Sequence, residues 1–242
     1  VRTLREEGMP INFTLGFSAR QNYLAARLSN PDYVNVFLGR LNQVVTENSA
    51  GSGDMVGEKV TLATQEALIN VRKQYSDIST KLIGASIRSG EQVAFLAGLD
   101  VLTIPPAAME QFANLEQTGL VESNIGKDIQ PGIDKNHSQS ARFSTLWEVP
   151  DSFIKFVDDL LAETNLDRMS GEELDSFCKE RGIDLFHPFS AADLKKILDR
   201  GKIPVFDDWP EEIALDDLMT QSALQSFTKD QGALDDRVRS FL

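Results

Sequence analysis

A single cysteine, Cys178, stands in the 242 residues, so no disulfide can form within the chain. With so little thiol, a cytoplasmic location is the expectation. Histidine is almost as rare: His137 and His187 lie far apart, and with Cys178 they lack metal-ligand spacing. All three read as structural or surface groups, with no metal or other cofactor implied. No apolar run approaches the length that crosses a bilayer, and VRTLREEGMP lacks the apolar stretch of a signal peptide, so no membrane partner is expected. Positive charge is scarce. Lys and Arg number 24 against 37 Asp and Glu, a formal net charge of -13, which opposes binding to a phosphate backbone and so excludes nucleic acid as a partner. Gly51-Ser52-Gly53 is not a phosphate loop, because no G-K-[ST] follows and no strand directly precedes it.

What the chain does have is core-forming material, 41% hydrophobic residues at a mean hydropathy of -0.22. Its charge is uneven: residues 1–120 carry a net -2 and residues 121–242 a net -11. The break marks a near-neutral core half followed by an acidic, mainly helical extension.

The most informative stretch is Thr80 to Pro106. It reads as a strand (Lys81 to Ala85), a polar turn (Ser86 to Gly90), a helix (Glu91 to Ala97) and a second strand (Val101 to Ile104). This is the βαβ unit of a parallel sheet. Upstream, Val1 to Gly8 reads as the last turns of a helix, and Pro10 to Leu15 as a strand with Asn12 and Thr14 on one face. A helix follows from Ser18 to Leu28, then a strand from Tyr33 to Leu38, a helix through Leu41 to Val45, a Gly/Ser-rich loop from Glu47 to Gly57 and a helix from Lys59 to Tyr75. Four strands with crossover helices define an α/β fold. Beyond Pro106 the expectation is helix: Ala107 to Gly119, Phe153 to Leu161, Glu172 to Arg181 behind the capping box Ser170-Glu173, a helix opened by Ser190-Asp193, then Glu211 to Thr228 and Ala233 to Leu242. Trp147 and Trp209 are expected to anchor this tail to the barrel.

Residues at the strand ends carry the chemistry. Ser86 and Arg88 follow the strand Lys81 to Ala85, and in α/β barrels that end of a strand is where reactions occur. An arginine beside a hydroxyl and a glycine-bearing backbone suits a phosphate or carboxylate.

Taken together, INFTLGFSARQ (Ile11 to Gln21), VNVFLGRL (Val34 to Leu41), KLIGASIRS with LAGLDVLTIPP (Lys81 to Pro106) and ALQSFTKDQGALDDRV (Ala223 to Val238) resemble the second half of the transaldolases. The resemblance implies a (β/α)8 TIM barrel of the class I aldolase/transaldolase type. This chain would carry strands 5–8 in residues 1–119 and the C-terminal extension in residues 120–242. It also implies Schiff-base transfer of a dihydroxyacetone unit from a ketose phosphate to an aldose phosphate, in the pentose phosphate pathway. The family's lysine and acid/base carboxylates belong to the first four strands, which do not match anything here. Lys81 sits at the N-terminal, wrong end of its strand. Four strands cannot close a barrel, which needs about eight, so the missing N-terminal half is an expected partner beside the sugar-phosphate substrates.

By the same resemblance Asn12 holds the lysine-bound intermediate, Thr14 the catalytic water, and Arg40, Ser86 and Arg88 the phosphate, while Phe37 lines the pocket. Asn35 departs from the family pattern, which has Ser-Pro-Phe where this chain has Asn35-Val36-Phe37. That change bears on acceptor preference and on the balance between transfer and simple cleavage. A fructose-6-phosphate-aldolase-like enzyme is therefore one alternative, and a non-catalytic sugar-phosphate-binding or scaffold protein that lost the lysine half is another. The tail helices have two destinations, the barrel mouth or a second subunit in a homodimer.

Overall fold

The computed structural model describes residues 1–115 and 121–241. A four-stranded parallel sheet runs in the order β1 (Asn12–Phe13), β2 (Tyr33–Phe37), β3 (Lys81–Ala85), β4 (Val101–Leu102). Helices α1 (Arg2–Glu6), α2 (Ala19–Ser29), α3 (Leu38–Glu47), α4 (Val56–Gln74), α5 (Gly90–Phe95) and α6 (Pro106–Asn114) flank and connect these strands. The tail supplies α7 (Asp151–Leu161), α8 (Gly171–Glu180), α9 (Ala191–Arg200) and α10 (Leu215–Arg239). The α/β reading and the parallel connections hold.

The register pairs Asn12 with Tyr33, Asn35 with Ile83, Phe37 with Ala85 and Ile83 with Val101. Side chains alternate along a strand, so Asn12, Asn35 and Phe37 share one face of the sheet. Val34, Val36 and Leu82 point to the other, where they join a continuous apolar cluster with Leu41, Leu68 and the tail's Phe143, Leu146, Phe153 and Phe156. A groove of about 550 Å³ runs beside β1, lined by Phe13, Leu24, Leu28, Leu166 and Met169 among others, and Phe13 is exposed there.

Several boundaries differ from the sequence reading, for identifiable reasons. β1 is shorter than Pro10 to Leu15, since Leu15 turns out of extended backbone at φ +70°. β4 ends at Leu102 rather than Ile104, because pairing reaches only Ile83 and Gly84 of β3. α3 begins at Leu38, directly on the strand end, instead of Leu41. α4 starts at Val56, three residues before Lys59, because Asn42 of α3 accepts the Gly57 N–H at 2.7 Å and caps its first turn from across the fold. α10 is continuous, since Gly232 stays helical where a break was expected. Trp147 packs on the large apolar cluster as expected, but Trp209 packs inside the tail against Ile197, Ile213 and Leu218. Gly119, the expected end of α6, lies outside the described residues, as does Leu242.

The tail is locked down by a buried ionic cluster. Arg20 donates to both carboxylate oxygens of Asp216 at 2.8 Å and to Asp184 at 2.6 Å, and Ser18 donates to Asp216 at 2.7 Å. Burial alone would lower the Arg20 pKa, but the two facing carboxylates raise it above the ordinary guanidinium value. Removing one member of such a pair strands the other charge, so Asp216→Ala should lower stability by about 3–5 kcal/mol in urea unfolding.

Asp217 behaves differently. Its carboxyl is pushed up to about 7, first by burial and then by Asp216, although it accepts the His187 N–H at 2.7 Å and Arg20 opposes the shift. The native state therefore binds this proton more tightly than the unfolded chain does. Stability falls as pH rises from about 4, and the loss is complete above about 7. Asp217→Asn keeps an acceptor for His187 and removes the charge. It should flatten this pH dependence and be more stable than the parent at pH 8 by on the order of 3 kcal/mol. Parallel stability-against-pH curves for the two proteins would refute the assignment.

Candidate functional site

At the C-terminal end of the sheet, β2 runs into α3 with no intervening loop. Phe37 occupies the N-cap position without a side-chain cap, and an uncapped helix N-terminus suits an anion. Gly39 sits in that first turn, and a Cβ there would lie 2.4 Å from the Ser86 carbonyl oxygen, 2.7 Å from Arg88 Nε and 2.9 Å from Ser86 Oγ. Glycine is required by this close approach. It brings Ser86 and Arg88 against the backbone next to Arg40. Ser86 holds φ +65°, a left-handed conformation that costs a β-carbon-bearing residue on the order of 1 kcal/mol.

Arg88 is exposed and anchored at both ends. Its N–H donates to Gln92 Oε1 at 2.7 Å and its guanidinium to Gln43 Oε1 at 2.8 Å. Gln92 is held in turn by buried Glu58 at 2.6 Å, and Glu58 also accepts from Asn42 at 3.0 Å.

Arg40 is half-buried between two rings, with its guanidinium carbon 5.3 Å from the Phe37 centroid and 5.4 Å from that of Phe227 on α10. Its Nη1 is buried without a hydrogen-bond partner. Burial lowers its pKa, Arg88 lowers it further, and Asp230 partly opposes them. A guanidinium remains charged nonetheless. Two cations at neighbouring strand ends, incompletely compensated, make a site for a multivalent anion.

Asn35 is buried, and its Oδ1 has no partner. Asn22 of α2 donates to the Asn35 carbonyl oxygen at 3.1 Å, while its own Oδ1 is likewise unpartnered. Asn12 and Thr14 are exposed at the β1 edge, and only their period-two alternation places them on the face of Asn35.

A profile described as transaldolase/fructose-6-phosphate aldolase matches residues 1–160. The chain belongs to that family. Among curated relatives it is similar to a probable transaldolase of Caldicellulosiruptor saccharolyticus, 33% identical over 138 residues, covering 56% of this chain and 57% of that protein. A probable transaldolase of Thermus thermophilus is 37% identical over 112 residues, covering 46% and 44%. One from Dictyostelium discoideum is 26% identical over 178 residues, covering 68% and 53%. The chain spans about half the length of the curated relatives it matches.

Within this member of the transaldolase/aldolase family, the geometry gathers Arg40, Ser86 and Arg88 around Gly39, with Phe37 against Arg40. It keeps Asn12 and Thr14 at the open edge. Lys81 is exposed at the N-terminal end of β3. His137, His187 and Cys178 lie away from the strand ends, His187 against Phe189 at 4.7 Å between ring centroids. Burial raises the Cys178 thiol to about 11, so it is inert near neutrality. Sequence reasoning missed Phe227, Gln43 and Asn22. The signal for Phe227 was present in the similarity of Ala223 to Val238 to a family helix. Gln43 follows Arg40 by three residues and so shares its helix face.

Gly39→Ala should force the Ser86 turn outward. We expect a loss of about 1–3 kcal/mol in stability together with weakened anion binding, measured by urea unfolding and phosphate titration. An alanine variant with unaltered phosphate affinity would remove the Gly39 junction from the site.

Proposed function

We propose that this chain carries the phosphate-holding half of a transaldolase. The complete enzyme would move a dihydroxyacetone unit from sedoheptulose 7-phosphate or fructose 6-phosphate to glyceraldehyde 3-phosphate or erythrose 4-phosphate, in the pentose phosphate pathway. One observation carries the reading: Arg40, Ser86 and Arg88 meet at the Gly39 junction on the C-terminal end of a parallel sheet. In this proposal residues 1–119 are strands 5–8 of the barrel with their helices, and residues 120–242 are the extension packed upon them. Exposed Phe13 and the groove beside β1 support four further strands on that side. Those strands would bring the Schiff-base lysine and the proton-transfer carboxylates, and this half would hold the substrate. Asn12 would orient the lysine-bound intermediate, Thr14 the water, Asn35 a substrate hydroxyl, and Phe37 would line the pocket. No cofactor is required by this chemistry, and a cytoplasmic setting suits it.

Simple fructose 6-phosphate cleavage is the second reading. It is favoured by the buried, unpartnered Asn35 Oδ1, which alters the polarity of the pocket where the donor would lie. Product analysis with and without an aldose phosphate acceptor separates transfer from cleavage. Borohydride trapping with fructose 6-phosphate tests for the lysine: with the lysine-bearing half present a stable adduct is expected, and its absence would favour a non-catalytic sugar-phosphate binder.

Arg88→Ala should raise KM for sugar phosphates at least tenfold, roughly 1.4 kcal/mol of lost binding, with little change in unfolding midpoint. An unchanged KM would remove Arg88 from the phosphate clamp.

A further inference from the structure

Glu58 lies in the first turn of α4 and is buried. Both of its carboxylate oxygens are taken by amides: Oε2 accepts from Asn42 Nδ2 at 3.0 Å and Oε1 from Gln92 Nε2 at 2.6 Å. Neither amide can turn over. The Asn42 oxygen accepts the Gly57 N–H at 2.7 Å, and the Gln92 oxygen accepts the Arg88 N–H at 2.7 Å. A backbone N–H only donates, so each amide must point its NH2 at position 58. The side chain there has to accept from both sides, as a carboxylate does; a glutamine would set its own NH2 against one of theirs. Holding the start of α4 accounts for the bond from Asn42. It does not account for the bond from Gln92, which belongs to α5.

What the network joins is the two elements that carry the arginines. Asn42 follows Arg40 by two residues on α3, and Gln92 holds the N–H of Arg88 itself. Arg88 stands close enough to Arg40 to lower its pKa, so the two cations repel one another. Gln43 restrains the tip of the Arg88 side chain, whereas Gln92 restrains the backbone of its turn, which already carries Ser86 at φ +65°. We infer that Glu58 is the positioning residue of the anion site: one buried carboxylate ties the Arg88 turn to α3 and so fixes the spacing between the Arg40 and Arg88 guanidiniums. The inference rests on the phosphate-holding reading proposed above. Glu58 does not touch the ligand and acts only through Gln92 and Asn42. A site held at its working width before the ligand arrives loses less binding energy to ordering.

Calorimetric titration of the chain with inorganic phosphate, alongside amide exchange followed by NMR, tests this. Glu58→Gln should weaken phosphate binding about tenfold and speed exchange at both Arg88 and Gly57. A role confined to capping α4 would move Gly57 alone and would overturn the inference. Glu58→Gln combined with Gln92→Glu should restore affinity and protection, because the relocated carboxylate accepts from Arg88 and from the new amide, whose oxygen accepts from Asn42. Gln92→Met cuts the same link from α5, so it should reproduce the affinity loss even where Glu58→Gln does not fold. In an Arg88→Ala background Glu58→Gln should lower affinity little further; a full further loss there would mark Glu58 as merely structural. If Arg88→Ala weakens phosphate binding while Glu58→Gln and Gln92→Met do not, the inference is overturned and the phosphate reading stands. If Arg88→Ala leaves the affinity unchanged, that reading goes and the inference goes with it.

Discussion

The placement of the site depends on one buried contact, the guanidinium of Arg20 against the carboxylate of Asp216. Such a pair is poor at stabilising a fold relative to well-packed apolar groups, because both charges must shed water. What it does well is fix position. Arg20 lies in the first turn of α2, close behind β1, and Asp216 lies at the start of α10, so the pair decides where the tail helix leaves the body. Thr220 extends the join by donating to the Leu15 carbonyl oxygen at 3.0 Å. From Asp216 the helix needs eleven residues, ~16 Å, to bring Phe227 onto the guanidinium of Arg40. Without that anchor the second ring of the Arg40 sandwich would have no fixed place.

This arrangement reconciles an acidic protein with an anion site. The charge of -13 is spread over a whole surface, much of it on the tail. Salt screens exposed charges beyond about 8 Å, so what an arriving phosphate meets is set locally. There Arg88 stands close enough to Arg40 to lower its pKa, and the first turn of α3, which has no side-chain cap, lies beside them. The Phe37 and Phe227 rings against Arg40 reduce its hydration, and this burial, with Arg88 beside it, lowers its pKa while its charge persists. Asp230 stands near enough to moderate the field. The site is therefore electropositive by construction of a few residues.

Much of this was legible in the sequence, and what was not shares one cause. The strand centres follow from local apolar patterning, and the capping boxes at Ser170 and Ser190 are local signals that the structure reproduces. Ser86 and Arg88 stood out because strand ends are predictable places for them, and Arg40 through the resemblance to the family. The errors arose where a distant residue decides a local outcome. Asn42 starts α4 early from another helix. Trp209 finds partners within the tail that no spacing announces. Asn22 became visible only when Gly16 let it approach the Asn35 carbonyl oxygen. α3 starts three residues before Leu41, and the missing Cβ of Gly39 is what allows its first turn to press on Ser86.

Unsatisfied polar atoms say something about the kind of ligand such a site fits. Native proteins seldom leave buried polar atoms without partners, yet three gather around β2 and its ends: Asn22 Oδ1, Asn35 Oδ1 and Arg40 Nη1. Two are acceptors and one is a charged donor. A bare inorganic anion could answer the arginine but would leave both amide oxygens wanting a proton. A neutral polyol could donate to the asparagines but would leave the guanidinium without a countercharge. A phosphorylated polyol supplies hydroxyl protons and anionic oxygens on one rigid frame, and so meets both demands with a single molecule. That complementarity agrees with the sugar phosphate proposed above as the ligand.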